Sequence, residues 1–459
     1  MAKNRFLTAL AALLFCVLAT AQTPKYVFFF IGDGMGINQV YMTDQYNKAM
    51  GQEGVNFTSF PTFRAVSTFS ANSQVTDSAA AGTALASGTK TNNSTLGNDP
   101  EGNSVVKVTE LAKAKGVATG VVTSVGINHA TPGAFYAHVQ SRGSVEHIAY
   151  QLLEESRLDF AAGGHFITGK DSLGLKAEDW VAKAKECGFE VYQGKGAYKP
   201  TSKRVIYLGD NGDNSLTYAI DRSEGETELS DFTAAAIEHL SAVGKKGFFL
   251  MVEGGKIDYS CHANDAATTV AEVNDFTKSV GLAIEFAAKH PKETLIIVTA
   301  DHETGGCTIG AGGYQFLPSY LQYQKCSKDE LTKKLFQLSK NEEIVSWPSV
   351  RKVLEENLGL WSNVEVKEEG QKILTQLYKE TFLDGKHEEE RNLYSSNSRL
   401  ASEAVKYLQT SRARASWSFG SHSGAPVGLW VWGAASQQFN SCNDNTDIPL
   451  TIEKVARYQ

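Results

Sequence analysis

Five stretches of this chain are apolar without a polar alternation, and they limit the fold more than any other feature of the sequence. They are Lys25-Tyr-Val-Phe-Phe-Phe-Ile31, Gly116-Val-Ala-Thr-Gly-Val-Val-Thr123, Gly247-Phe-Phe-Leu-Met-Val252, Thr294-Leu-Ile-Ile-Val-Thr299 and the run 426–431. A strand with one face in water alternates apolar and polar residues; an unbroken run marks a strand covered on both faces, which is the habit of parallel sheets. Shorter runs at 159–163 and 205–208 continue the series, and helix-forming segments separate them at 106–115, 231–243 and 266–289. Strand, helix, strand in repetition defines an α/β fold with a large, mostly parallel central sheet.

Open α/β sheets bind ligands beyond the carboxyl ends of their strands, and here those ends are chemically loaded. Gly32-Asp33-Gly34 follows the first run. Gly126-Ile-Asn-His129-Ala-Thr131 follows the second, with Arg142 further on. Glu253, Asp258 and His262 follow the third, and Asp301-His302 the fourth. Asp258 and His262 are four apart, hence on one face of a helical turn, a spacing suited to sharing a metal. His422 precedes the last run. An acid inside the Asp33 turn would repel a dinucleotide pyrophosphate, and no GKS or GKT P-loop occurs. Asp33, Glu253, Asp258, His262, Asp301, His302 and His422 together read as a metal site, with imidazole and carboxylate suited to zinc, hydroxyl and carboxylate to magnesium.

Between the first two runs, Thr76-Asp77-Ser78-Ala-Ala-Ala-Gly-Thr-Ala-Leu-Ala-Ser-Gly88 brings one hydroxyl to the start of an Ala-rich helix. Unpaired backbone N–H groups and the positive end of the helix dipole favour both phosphate and an alkoxide there. Ser78 is therefore the candidate nucleophile, with simple helix capping as its structural alternative. Arg142 suits a bidentate grip on phosphate. His138 and His387 read as structural and solvated residues.

Residues 1–21 have the form of a secretory signal: Lys3 and Arg5, an apolar stretch, then Ala19-Thr-Ala21 before Gln22. This points to an exported protein, periplasmic or secreted. Losing two cations and no acid with that segment takes the formal charge from −7 to −9, which argues against nucleic acid as a bulk partner. No later stretch is long and apolar enough to span a membrane. Five cysteines lie beyond the signal, enough for at most two disulfides; the pairing is open, with Cys307 and Cys326 one candidate pair.

From 305 to 417 the texture becomes helical. Ser327-Lys-Asp-Glu330 is a capping box, and amphipathic segments follow at 348–358, 364–382 and 398–409. The expected organisation is a signal at 1–21 and one catalytic domain at 22–459, with a mainly helical insertion at about 308–416.

Val75-Thr-Asp77-Ser78-Ala-Ala-Ala-Gly-Thr-Ala, Val252-Glu253-Gly-Gly-Lys-Ile-Asp258 with His262, Thr299-Ala-Asp301-His302 and Gly420-Ser-His422-Ser-Gly resemble, in order, the motifs of alkaline phosphatases. The resemblance implies a three-layer α/β/α phosphomonoesterase, a homodimer with a monomer as the alternative, carrying two Zn2+ ions, one Mg2+ ion and a covalent phosphoserine. It implies Asp258, His262 and His422 on the first zinc, and Asp33, Asp301, His302 and the Ser78 oxygen on the second. Magnesium would be shared by Asp33, Thr131 and Glu253, and Arg142, oriented by Asp77, would clamp phosphate. Two neighbours depart from part of the family. His129 stands where some bacterial members carry aspartate near the magnesium, and Tyr259 stands where lysine, histidine or tryptophan is commoner. The alternatives are a phosphodiesterase or nucleotide pyrophosphatase on the same scaffold, which commonly uses threonine as nucleophile, and a non-catalytic exported phosphate- or metal-binding protein. A sulfatase lacks support, because no Cys-x-Pro-x-Arg motif occurs.

Overall fold

A computed structural model describes residues 22–169, 176–210, 212–342, 344–383 and 390–459. The signal expected at residues 1–21 and His387 lie outside the described residues.

The apolar runs become the middle of a nine-stranded sheet. In chain order its strands begin with β1 (Tyr26–Gly32), β2 (Thr62–Val66), β3 (Ala118–Thr123) and β4 (Phe160–Gly163). β5 (Glu190–Gln193), β6 (Val205–Leu208), β7 (Phe248–Glu253) and β8 (Thr294–Ala300) follow. Short ladders come next, β9 (Glu303–Thr304), β10 (Cys307–Ile309), β11 (Ala415–Trp417) and β12 (His422–Ser423), before β13 (Val427–Gly433) returns to the sheet. The sheet order is β2-β13-β8-β1-β7-β3-β4-β6-β5. All pairings from β8 to β5 are parallel, while β13 runs antiparallel to both β8 and β2. β1, β3, β7 and β8 are almost wholly buried, as unbroken apolar runs require. Helices cover both faces in a three-layer α/β/α sandwich.

Two of the elements that the sequence did not announce show why. β2 is short and half exposed, as edge strands are. The helix Ile37–Ala49 buries Gln39, Thr43, Asp44 and Asn47, so no apolar stripe announces it. Helices Lys328–Asn341, Trp347–Leu358, Glu368–Tyr378 and Glu390–Lys406 pack a separate apolar cluster that includes Leu331, Leu335, Leu354 and Leu400. The last two of these run into π-helical turns, Lys379–Leu383 and Tyr407–Ala413. The candidate pair Cys307 and Cys326 is not formed: Cys187, Cys261, Cys307, Cys326 and Cys442 are all free thiols, four of them buried.

Candidate active site

Because β8, β1, β7 and β3 are adjacent and parallel, their carboxyl ends lie side by side. The residues following those strands are therefore forced into one place. Asp33, Thr131, Glu253, Asp301 and His302 are at most 1 % exposed there, and Asp258 is 5 % exposed on the helix Lys256–His262. Gly34 makes this crowding feasible. It holds φ +71°, and a Cβ on it would come within 2.9 Å of Asp258 Oδ1 and Thr304 Oγ1.

Ser78 is the first residue of the helix Ser78–Ser87; Asp77 is its N-cap and accepts from the Ala80 N–H at 3.0 Å. The capping alternative thus falls to Asp77, leaving the Ser78 hydroxyl to face inward, 3.3 Å from His302 Nε2. His302 Nε2 lies 3.4 Å from Asp33 Oδ1 and 3.3 Å from Asp301 Oδ2. Asp301 is oriented through its other oxygen, which accepts from the N–H groups of Gly34 (3.1 Å) and His302 (2.9 Å).

A second cluster adjoins. His262 Nε2 is 3.2 Å from both Asp258 Oδ2 and His422 Nε2, and His422 Nε2 is 3.8 Å from Asp258 Oδ1. Each of these imidazoles meets a backbone carbonyl through Nδ1, His262 that of Gly420 (2.8 Å) and His422 that of Thr76 (2.9 Å). That contact keeps a proton on Nδ1, so Nε2, which faces Asp258 and the other imidazole, is the nitrogen left to ligate a metal. The third cluster joins Asp33, Glu253 and Thr131, whose hydroxyl donates to Asp33 Oδ2 at 3.2 Å. His129 offers a nitrogen within 4.8 Å of donors on Asp33 and Glu253. Its Nε2 accepts from Arg142 Nη2 at 3.2 Å, while Arg142 Nη1 donates to Asp77 Oδ2 at 3.2 Å. The guanidinium is thus strung between Asp77 and His129 beside Ser78. Tyr259 stacks edge-on against His129, with ring centroids 6.2 Å apart.

Every sequence-predicted site residue reaches this cleft edge. The structure adds His302 to a compact donor group with Asp258 and His422, so the first two clusters share an imidazole. It also adds residues that the sequence reading passed over. Thr304 Oγ1 donates to Asp258 Oδ1 at 2.6 Å and sits 3.2 Å from His302 Nδ1. Thr123 donates to Glu253. Glu303 accepts from Gln39 Nε2, the Cys307 N–H and the Ser423 hydroxyl, fastening the segment after His302 to the one carrying His422, which pair as β9 and β12. The available signal for Thr304 was its place two residues beyond His302, on the same side of an extended segment.

The electrostatics are those of a site short of positive charge. Burial, reinforced by neighbouring carboxylates, holds Asp33 and Asp301 well above the ordinary carboxylate range. Burial likewise pushes Glu253 up to about 7. Asp258 is the exception: burial opposes its ionisation, but the His262 hydrogen bond and the surrounding imidazoles outweigh it and hold it low. Burial, then Arg142, brings His129 down to about 3. Asp33 Oδ1, Asp301 Oδ2 and Glu253 Oε1 are buried with no hydrogen-bond partner. An orphaned buried carboxylate oxygen is costly, and a bound cation removes that cost. This donor set therefore fits divalent metal ions.

Such chemistry, a hydroxyl held at a helix N-terminus among donors for hard and borderline cations, defines a hydrolase that works on anionic esters. A sequence profile described as alkaline phosphatase matches residues 24–165 and 178–458. Alkaline phosphatase 4 of Bacillus subtilis is 34% identical over 389 residues, covering 83% of this chain and 77% of that protein. Alkaline phosphatase 3 of the same organism is 31% identical over 445 residues, covering 95% and 89%. The solved structure of a cold-active alkaline phosphatase from Shewanella sp. has a TM-score of 0.77 and 26% identity, covering 94% of this chain and 99% of that one. The chain belongs to the alkaline phosphatase family and is a phosphatase acting on phosphate esters.

Proposed function

We propose that this enzyme hydrolyses phosphate monoesters through a covalent phosphoserine at Ser78, assisted by two Zn2+ ions and one Mg2+ ion. The observation that carries the reading is the Ser78 hydroxyl itself, freed from capping by Asp77, 3.3 Å from His302 Nε2 and beside unpartnered carboxylate oxygens. Asp258, His262 and His422 would hold one zinc, and Asp33, Asp301, His302 and Ser78 the other. Asp33, Thr131 and Glu253, all oxygen donors, would hold magnesium. Bound there, the cations would lower the pKa of the serine hydroxyl and of water and stabilise charge on the departing oxygen.

The protein's own groups supply the rest. Arg142, aligned by Asp77 and His129, would grip two non-bridging phosphate oxygens. Ser78 Oγ attacks phosphorus in line as the ester P–O bond breaks and the alcohol departs. Water then cleaves the phosphoserine, releasing inorganic phosphate and restoring the hydroxyl. A TAB5 alkaline phosphatase with a histidine-to-glutamate substitution has been solved with magnesium in its M3 site (26% identity, TM-score 0.66, covering 96% of this chain and 100% of that one). It supports reading the pocket of Asp33, Glu253 and His129 as a magnesium site that His129 would border. We also propose that the protein is exported, on the signal-like residues 1–21, and acts as a homodimer; no helix among the described residues is long and apolar enough to cross a membrane.

Hydrolysis of 4-nitrophenyl phosphate, its loss in Ser78→Ala, and a phosphoserine trapped at low pH on Ser78 test the mechanism. Full activity in Ser78→Ala overturns it, and faster turnover of bis(4-nitrophenyl) phosphate than of the monoester would make the enzyme a diesterase.

A further inference from the structure

The segment directly after His262 is held by the helical insertion. Asp265 is 1 % exposed and caps two helices at once. Its Oδ1 accepts from the Thr268 N–H at 3.2 Å and from Gln324 Nε2 at 2.7 Å; its Oδ2 accepts from the Thr268 hydroxyl and the Lys328 N–H, both at 2.7 Å. One capped helix, Ala266–Lys289, belongs to the sandwich; the other, Lys328–Asn341, opens the insertion. From the far end of the insertion comes Gln409, 2 % exposed, in the π-helical turn Tyr407–Ala413. Its Oε1 accepts from the Ala266 N–H at 2.8 Å and its Nε2 donates to the Asn264 carbonyl at 2.6 Å.

Asn264 carries the constraint back to the metal cluster. It occupies the left-handed region at φ 54°. Turned so that its nitrogen rather than its oxygen faces the two neighbouring carbonyls, its side-chain amide donates to Phe419 (2.8 Å) and Cys261 (3.0 Å). Phe419 precedes Gly420, whose carbonyl meets His262 Nδ1, and Cys261 precedes His262. Both the imidazole and the acceptor that orients it are therefore fastened, through Asn264, to Gln409. π-turns inside helices recur at functional sites, and this one aims a buried amide at the loop.

From this chain of contacts we infer that Gln409 is a positioning residue: the helical insertion sets the orientation of His262 and thereby the retention of the metal ion that His262 holds. The inference rests on His262 being a ligand of the first zinc. Orienting partners of this kind change metal affinity by roughly 10–100-fold when removed. Truncation at 409 is sterically tolerable, because Gln409 and Asn264 line a cavity of about 380 Å³ beside His262 that admits water.

The test is the rate at which the zinc-loaded enzyme releases each metal to excess chelator, followed by a zinc-sensitive dye. Gln409→Ala should release one of the two zinc ions about tenfold faster than wild type while the other leaves at the wild-type rate. Gln409→Glu keeps the acceptor for Ala266 and should fall between them. Gln371→Ala is the control: Gln371 bonds Trp361 and Thr375 within the insertion, so its loss should leave both rates unchanged. Wild-type release from Gln409→Ala overturns the inference, as does equal acceleration of both metals or acceleration by Gln371→Ala. If His262→Ala retains the full zinc complement, the ligand assignment fails instead.

Discussion

Thr304 offers the sharpest probe of how the site is wired. For His302 Nε2 to face Ser78, Asp33 and Asp301 with a lone pair, its proton must sit on Nδ1. The acceptor there is the Thr304 oxygen at 3.2 Å, and the same hydroxyl spends its own proton on Asp258 Oδ1 at 2.6 Å. One fully buried threonine thus fixes the tautomer of an imidazole in one cluster and the orientation of a carboxylate in the other. Thr304→Val keeps the shape and removes both contacts. A hydrogen bond to a charged group contributes about 1.5–3 kcal/mol, and tenfold in an equilibrium constant corresponds to about 1.4 kcal/mol. The substitution should therefore weaken zinc binding by about tenfold to a hundredfold. Thr304→Ser, which retains the hydroxyl, should stay close to wild type. The measurement is competition for zinc against a chelator of known affinity, with the metal content of each variant determined after equilibration. If the valine variant holds zinc within about twofold of wild type, or serine is as impaired as valine, the relay has no functional weight.

Three other outcomes are expected. In chelated protein Glu253, pushed up to about 7 from an ordinary 4.5, keeps its proton when folded after the unfolded chain has released it. Stability is then fully present below about pH 4.5 and falls as pH rises through 7; Glu253→Gln should flatten that slope in thermal melts between pH 5 and 8, and a flat wild-type profile would contradict it. With five free thiols and only Cys187 partly accessible, Ellman's reagent should label one thiol of the native chain from residue 22 onward and five after denaturation, and reductant should leave the melting temperature unchanged; a shift on reduction would reveal a disulfide. Tyr259 is a neutral phenol at working pH because burial and nearby acids push its ionisation upward, so Tyr259→Lys should strengthen inhibition by inorganic phosphate, and equal or weaker inhibition would remove the argument.

The parts of the fold that sequence could reveal were those whose burial is written into composition. β1, β3, β7 and β8 are covered on both faces and read as unbroken apolar runs, and their adjacency gathered the metal-ligand candidates at one edge. The Ile37–Ala49 helix stayed hidden because most of the side chains it buries are polar, Gln39, Thr43, Asp44 and Asn47, the last bonded to Asn274 of the helix Ala266–Lys289. Asp33 and Asp258 announced themselves by chemistry and spacing. Thr304, Glu303, Asp265 and Gln409 did not, since each is an ordinary residue until folding brings partners against it, from 46 positions away for Thr304 to 264 for Glu303. The free cysteines were illegible for the same reason.

The return of β13 to the sheet interior after the long insertion has a bearing on when the enzyme comes to life. Its lead-in, β12, delivers His422, while the other imidazoles and acids all lie at or before residue 302. A polypeptide emerging amino end first therefore lacks a complete cation trap until the segment that carries His422 arrives, well after the other donors. Activity is thereby tied to the arrival of that segment, and a chain cut short of His422 would be a poor thief of metal ions.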